Sequence, residues 1–201
     1  MARGSPAGGT DPRVERSRTV IRRAALEELG ESGYGAFTIE AVAARARVGK
    51  STIYRHWRDK LDLIADAFES AHDHLVPDVS TGTAAERIAA LLRHVAYVAA
   101  DSTFSRCIPA LIEGARHDAR LREFHYGYSA RRRAELTDLI SAGIQAGEFA
   151  AGVDPGLAVS ALLGAIFYGQ LMSDTAFEPD QAERLVALVL PPARAVPACG
   201  D

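Results

Sequence analysis

The sequence predicts an all-α protein of about nine helices, a small three-helix head followed by a larger helical body. Three observations predict it. Apolar residues recur at i, i+3, i+4 and i+7 along most of the chain, the repeat of one buried helix face. Proline, glycine and short polar residues stand where helices start and stop. No stretch alternates convincingly between apolar and polar residues as a half-buried strand does. The chain has 201 residues, 48% of them hydrophobic, enough for a sizeable core.

Residues 1–12 are rich in Gly, Pro, Ala and Ser and read as a disordered arm. A first helix runs from Pro12 to about Gly30, with Ile21, Ala25 and Leu29 inside and Arg13, Arg16, Arg18, Arg22 and Arg23 outside. Thr38 caps a second, whose inner face is Ile39, Val42, Ala43 and Ala46. Arg47-Val48-Gly49 is the turn. In the third helix Ile53 and Trp57 face inward, which leaves Lys50, Ser51, Thr52, Tyr54, Arg55 and His56 on other faces. The fourth begins near Asp59, carries Leu61, Ile64, Ala65 and Phe68, extends to Leu75 and stops at Pro77.

Five further helices make the body. Ile88, Leu91, Leu92 and Val95 mark the fifth, after Thr83. Phe104, Cys107, Ile108 and Leu111 mark the sixth, with Pro109 early in it or kinking it. Leu121, Phe124, Tyr128, Leu136, Leu139 and Ile140 mark a long seventh that ends at Gly147. Asp154-Pro155 is an N-cap followed by Pro at the first helical position, and opens the eighth. Pro179 opens the ninth, with Ala182, Leu185, Val186 and Val189 on one face, and Pro191-Pro192 ends it. The expected division is a head over residues 13–59, a body over 60–192 and a flexible tail over 193–201.

The net charge of −3 averages two unlike parts. Residues 1–58 hold 11 Arg/Lys against 6 Asp/Glu, while residues 59–201 hold 12 against 20. A basic head on an acidic body suits a protein whose head meets a polyanion. No unbroken apolar run reaches the ~18 residues of a membrane span, and the N-terminal stretch lacks the apolar core of a secretory signal. The two cysteines, Cys107 and Cys199, read as unpaired, which fits a reducing cytoplasm.

Gly33-Tyr34, Thr38, Val42-Ala43, Ala46, Val48, Thr52-Ile53-Tyr54, His56-Trp57 and Lys60 together resemble the helix-turn-helix of the TetR family of bacterial transcription regulators. The resemblance is dense over residues 14–70. Two positions depart from the family pattern: Arg47 replaces the usual turn Gly, and Gly49 the usual capping Ser. A left-handed conformation costs a residue such as Arg roughly 1–2 kcal/mol, so Arg47 either strains the turn or serves as a phosphate contact. The nine-helix order matches the family layout. Gly147-Glu148-Phe149, Asp154-Pro155, Leu162-Leu163-Gly164 and Tyr168 resemble one of its C-terminal domain types more loosely.

The resemblance implies a cytoplasmic homodimer that binds double-stranded operator DNA and answers to a small-molecule effector, most simply a repressor released by that effector. It implies DNA contacts from Thr38, Lys50, Ser51, Thr52, Tyr54, His56 and Lys60, to which Arg47, a departure from the pattern, adds a further candidate. An effector site is expected between helices four to eight, among Phe68, His94, Phe104, Cys107, Leu111, Phe124, Tyr128, Tyr168 and Gln170, most of which must also serve the core. Leu157, Ala161, Leu162, Ala165, Tyr168, Leu185 and Val189 are expected at the dimer interface, the competing reading being burial within one chain. No membrane partner and no cofactor are expected.

His72-Asp73-His74 has the wrong spacing for a helical metal pair, its histidines being two apart and about 200° around the axis. Arg131-Arg132-Arg133 reads as a solvated face paired with Glu123, Glu135 or Asp138 rather than as a DNA contact. No phosphate-binding glycine loop, nucleophile elbow or paired nucleophile and base stands out. The rival reading is a helical small-molecule binder or enzyme that keeps the head as scaffold.

Overall fold

The computed structural model describes residues 12–73, 77, 79–100 and 102–193. Most of the expected N-terminal arm, Leu75, His74, Cys199 and residues 194–201 of the tail lie outside the described residues. Among those described, nine α-helices carry the fold: α1 (Pro12–Ala36), α2 (Ile39–Ala46), α3 (Lys50–Tyr54), α4 (Lys60–Asp73), α5 (Ala84–Ala100), α6 (Ser102–His117), α7 (Ala119–Gln145), α8 (Pro155–Met172) and α9 (Ala182–Val189). The fold is all-α, as its apolar periodicity predicts.

Local chemistry sets most of the boundaries. Helix α1 runs past Gly30, but Gly33 leaves helical geometry (φ 74°, ψ 167°) and turns Tyr34 into the core. The Thr38 side chain accepts from Ala41 N at 3.2 Å and caps α2. Thr83 and Glu86 exchange hydrogen bonds in a capping box that starts α5. Asp118 caps α7 by accepting from Arg120 N and Leu121 N, and Asp154 caps α8 by accepting from Leu157 N at 2.8 Å. Pro109 lies inside α6 and the helix continues about two turns beyond it. A short 3₁₀ turn, Pro179–Gln181, leads into α9.

Two details differ from the sequence reading. The third helix ends at Tyr54, and a turn of Arg55 and His56 brings Trp57 inward. The start of the expected loose tail is tied down: Ala150 N donates to Pro191 O, and Ala193 N to Glu148 O, around an isolated bridge between Phe149 and Pro192.

Apolar burial forms two cores. The first joins α1–α4 to α6 and the start of α7 through Leu29, Ile53, Trp57, Phe68, Cys107 and Leu121. The second joins α5, the later part of α7, α8 and α9 through Leu92, Ile140, Leu162, Ile166 and Val186. Helix α6 lies along α1, and Cys107 Sγ donates to Leu26 O at 3.1 Å across that contact. Helix α8 has the length and composition of a membrane span. Here it packs against α5, α7 and α9, and Ser160, Gly164 and Gly169 interrupt its apolar run.

Candidate nucleic-acid interface and effector cavity

Ile53 and Trp57 are buried and set the orientation of α3. Lys50, Ser51, Tyr54 and Arg55 are consequently exposed, with Thr52 and His56 half-buried beside them. Thr38 and Arg47 are exposed on the flanks of the same motif. A short helix with cationic, hydroxylic and aromatic groups along its outer side fits a major groove. Lys50 Nζ lies 3.0 Å from Glu40 Oε1 of α2, and that hydrogen bond holds the Glu40 carboxyl below its ordinary range. Arg47 closes α2 in the left-handed region (φ 54°, ψ 45°), and its backbone N–H reaches the Ala43 and Ala44 carbonyls.

The motif is braced from behind. Trp57 Nε1 donates to Asp66 Oδ2 of α4 at 2.8 Å, and Arg22 Nε of α1 donates to the same oxygen at 2.8 Å. Burial pushes the Asp66 carboxyl upward, but the Arg22 and Trp57 hydrogen bonds outweigh it and hold it below the usual range. Lys60 is engaged inward. Its Nζ donates to Tyr34 O at 3.2 Å and sits 4.1 Å from the centre of the Tyr34 ring. The ammonium expected to meet a phosphate is thus held at the end of α1 in the free chain.

A cavity of 330 Å³ lies where the two cores meet, between α5, α6, α7 and α8. His94, Phe104, Leu111 and Tyr128 line it, as expected from sequence. The other five expected residues do not. Phe68 is fully buried behind the wall, its ring centre 5.1 Å from that of Phe104 and 5.9 Å from that of Tyr128. Phe124 packs beside it. Cys107 faces α1. Tyr168 is exposed on the outer side of α8, and Gln170 is half-buried away from the lining. Sequence reasoning missed His125, Ser129, Arg132 and Glu135 of α7, and Leu163, Phe167 and Leu171 of α8. A signal was present: His125, Ser129, Arg132 and Leu136 recur at helical spacing beside Tyr128. Burial pushes His125 below the ordinary histidine range.

Arg131 and Arg132 reach across to another helix. Both donate to the Glu69 carboxylate on α4, Arg132 Nη2 at 2.6 Å from Oε2.

Helix α8 carries two apolar stripes. Ala158, Val159, Leu162 and Ile166 face the second core. Leu157, Ala161, Gly164, Tyr168 and Met172 form a second stripe that is exposed in the single chain, with Leu157 at 72% and Met172 at 73%. Leu162 therefore belongs to the chain's own core, not to an outer face. Ala165, Leu185 and Val189 are half-buried, the last two against the second core, whereas Leu188 of α9 is 81% exposed.

A helix-turn-helix presented on a helical body with a cavity is the architecture of a DNA-binding regulator of transcription. The family described as bacterial regulatory proteins, tetR family, matches residues 21–67, and the Tetracyclin repressor-like C-terminal domain matches residues 76–189. The chain belongs to the TetR family. It is 31% identical over 163 residues to an uncharacterized HTH-type transcriptional regulator of Bacillus subtilis, YdeS, covering 81% of this chain and 82% of that one. Its fold is similar to that of the Bacillus subtilis regulator FadR solved with stearoyl-CoA (TM-score 0.71, 22% identity, 86% of this chain and 97% of that one). It is also similar to AibR solved with isovaleryl coenzyme A and operator DNA (TM-score 0.65, 22% identity, 88% and 99%).

Proposed function

We propose that this protein is a cytoplasmic homodimeric repressor that leaves its operator when a small molecule fills the cavity between α5, α6, α7 and α8, and that it performs no chemistry on that molecule. The observation that carries the reading is the division of α3, with Ile53 buried and Lys50, Ser51 and Tyr54 outward. Lys50 and Ser51 open the helix and read base edges; Tyr54, with Thr38, Arg47, Thr52 and His56 around it, holds the phosphates that fix the docking register. Lys60 serves this indirectly, by fixing the end of α1. The outer stripe of α8, with Leu188 of α9, pairs with its symmetry mate. Two heads then reach successive major grooves about 34–36 Å apart. The effector acts by binding one head spacing better than the other. The coenzyme A thioesters in FadR and AibR support a small-molecule site in such a body.

A gel-shift with the DNA upstream of the gene tests the reading. Specific binding is expected, weakened for all sequences by Tyr54→Phe and altered in base preference by Lys50→Ala. Absence of any specific complex, or an unchanged selected-site logo for Lys50→Ala, contradicts it.

A further inference from the structure

Arg132 stands between the cavity and the helix that carries the head. Arg132 is among the residues that line the cavity, and its guanidinium carbon lies 5.1 Å from the centre of the ring of Tyr128, another lining residue. The same guanidinium donates through Nη2 to Glu69 of α4. Asp66, one turn earlier on α4, holds Trp57 of the head. Phe68, next to Glu69, backs the cavity wall through Phe104 and Tyr128. A contact made at Arg132 therefore reaches α4 through that side chain.

The lining is mainly aliphatic and aromatic, with its polar groups concentrated on α7. Glu135 is exposed at the rim, where water screens its charge, while the Arg132 side chain is only 26% exposed. An anion in the cavity meets that guanidinium; a carboxylate fits its planar fork best. A volume of 330 Å³ is at the small end for ligand sites and suits a compact body.

Resting on the effector reading of this cavity, we propose that the effector is a compact apolar carboxylate, that Arg132 binds its carboxylate, and that this draws Arg132 away from Glu69 and loosens α4. Two carboxylates sharing one guanidinium repel each other, so the incoming anion competes with Glu69. Glu69 is then left with Arg131, whose side chain is 59% exposed and whose pairing holds α4 weakly. A neutral ligand of the same shape fills the cavity without breaking this contact.

The test uses the full chain and four probes: octanoate, 4-phenylbutyrate, 1-octanol and octylamine. Calorimetry should show the two carboxylates binding at least about tenfold more tightly than the alcohol, with the amine weakest. Arg132→Gln should abolish that preference, weakening the two carboxylates far more than octanol. If that variant does not fold, Arg132→Lys, which keeps the charge and loses the fork, should reduce the preference several-fold. Hydrogen exchange in α4 should rise with octanoate, and in Glu69→Gln it should be raised without any ligand. Equal binding of octanoate and octanol, or a preference that survives in the Arg132 variants, overturns the carboxylate assignment while the cavity remains an effector site. Binding of none of the four overturns the assignment and the effector reading together. Parent-like α4 exchange in folded Glu69→Gln overturns the link to α4.

Discussion

The Tyr34 hydroxyl donates to Asp118 Oδ2 at 2.6 Å across 84 residues of sequence, and so fastens the end of α1 to the N-cap of α7. Lys60 Nζ reaches Tyr34 O from α4, and Arg120 Nη2 donates to Asp59 Oδ2 at 2.9 Å beside it. Head and body are thus joined by a polar cluster as well as by the first core. Gly114 makes room for it: a Cβ there would lie 2.7 Å from Tyr34 Cβ and from Leu121 Cδ2. Burial and the hydrogen bond to Asp118 push the Tyr34 phenol upward, while the Tyr34 hydrogen bond holds Asp118 below its ordinary 3.8.

Tyr34→Phe is expected to cost about 1–2 kcal/mol, the worth of a hydrogen bond whose charged acceptor is partly screened by water. For a chain of this size that lowers Tm by roughly 2–8 °C. Asp118 is depressed in the folded state, so its contribution is present above pH 4 or so and is lost as pH falls through its folded value. The parent should therefore lose stability more steeply than Tyr34→Phe between about pH 4 and pH 2. Thermal melts across that range, giving parallel curves, would refute the role assigned to the bond.

On the proposed docking, Lys50 leaves Glu40 to reach DNA. The pair is exposed at both ends, so parting it costs little, but Glu40 still places a negative charge beside α3. Glu40→Ala should raise affinity for non-specific duplex by a few-fold at low salt and reduce the ratio of specific to non-specific binding. Titrations at two salt concentrations measure both quantities. Unchanged non-specific affinity would place Glu40 outside the interface.

What the sequence made legible was local. Thr38 and Asp154-Pro155 act within a few residues of themselves, and each stands where its pattern puts it. The inward stripe of Ile53 and Trp57 follows from a single period, and with it the outward face of α3. The pairing of Glu69 with Arg131 and Arg132 spans more than 60 residues and depends on how two helices cross. So does the engagement of Lys60 with Tyr34. The cavity was half legible for the same reason: its aromatic groups were visible as helix-face residues, but the polar face of α7 faces inward only because α5 and α8 close over it.

Arg47 is the sole non-glycine residue with positive φ among those described. Arg47→Gly should stabilise the head by about 1 kcal/mol, since it removes the Cβ strain of the left-handed turn. If Arg47 also reaches a phosphate, the same change should lower affinity for all DNA sequences alike and reduce the salt slope by about one phosphate. Melting and salt-dependent binding separate the two effects. A variant less stable than the parent would show that the arginine side chain contributes more to the fold than its backbone strain takes away.

The final expectation concerns the outer stripe of α8. A helix that packs one face against its own core has no need of a second apolar face, yet Leu157, Tyr168 and Met172 are all more than half exposed, and Leu188 of α9 is exposed too. Exposure on that scale marks a surface that meets a partner, and a two-fold axis lets the same stripe cover itself. Ala161 and Gly164 are small enough to let the two copies of α8 approach closely. Leu157→Glu and Leu188→Glu are better probes than a change at Leu162 or Val189, whose side chains also serve the second core. Both variants should stay helical, with melting close to that of the isolated parent subunit, and should sediment as monomers. They should lose the tight operator complex while keeping weak binding by single heads. Dimeric sedimentation of both variants would move the interface to another face.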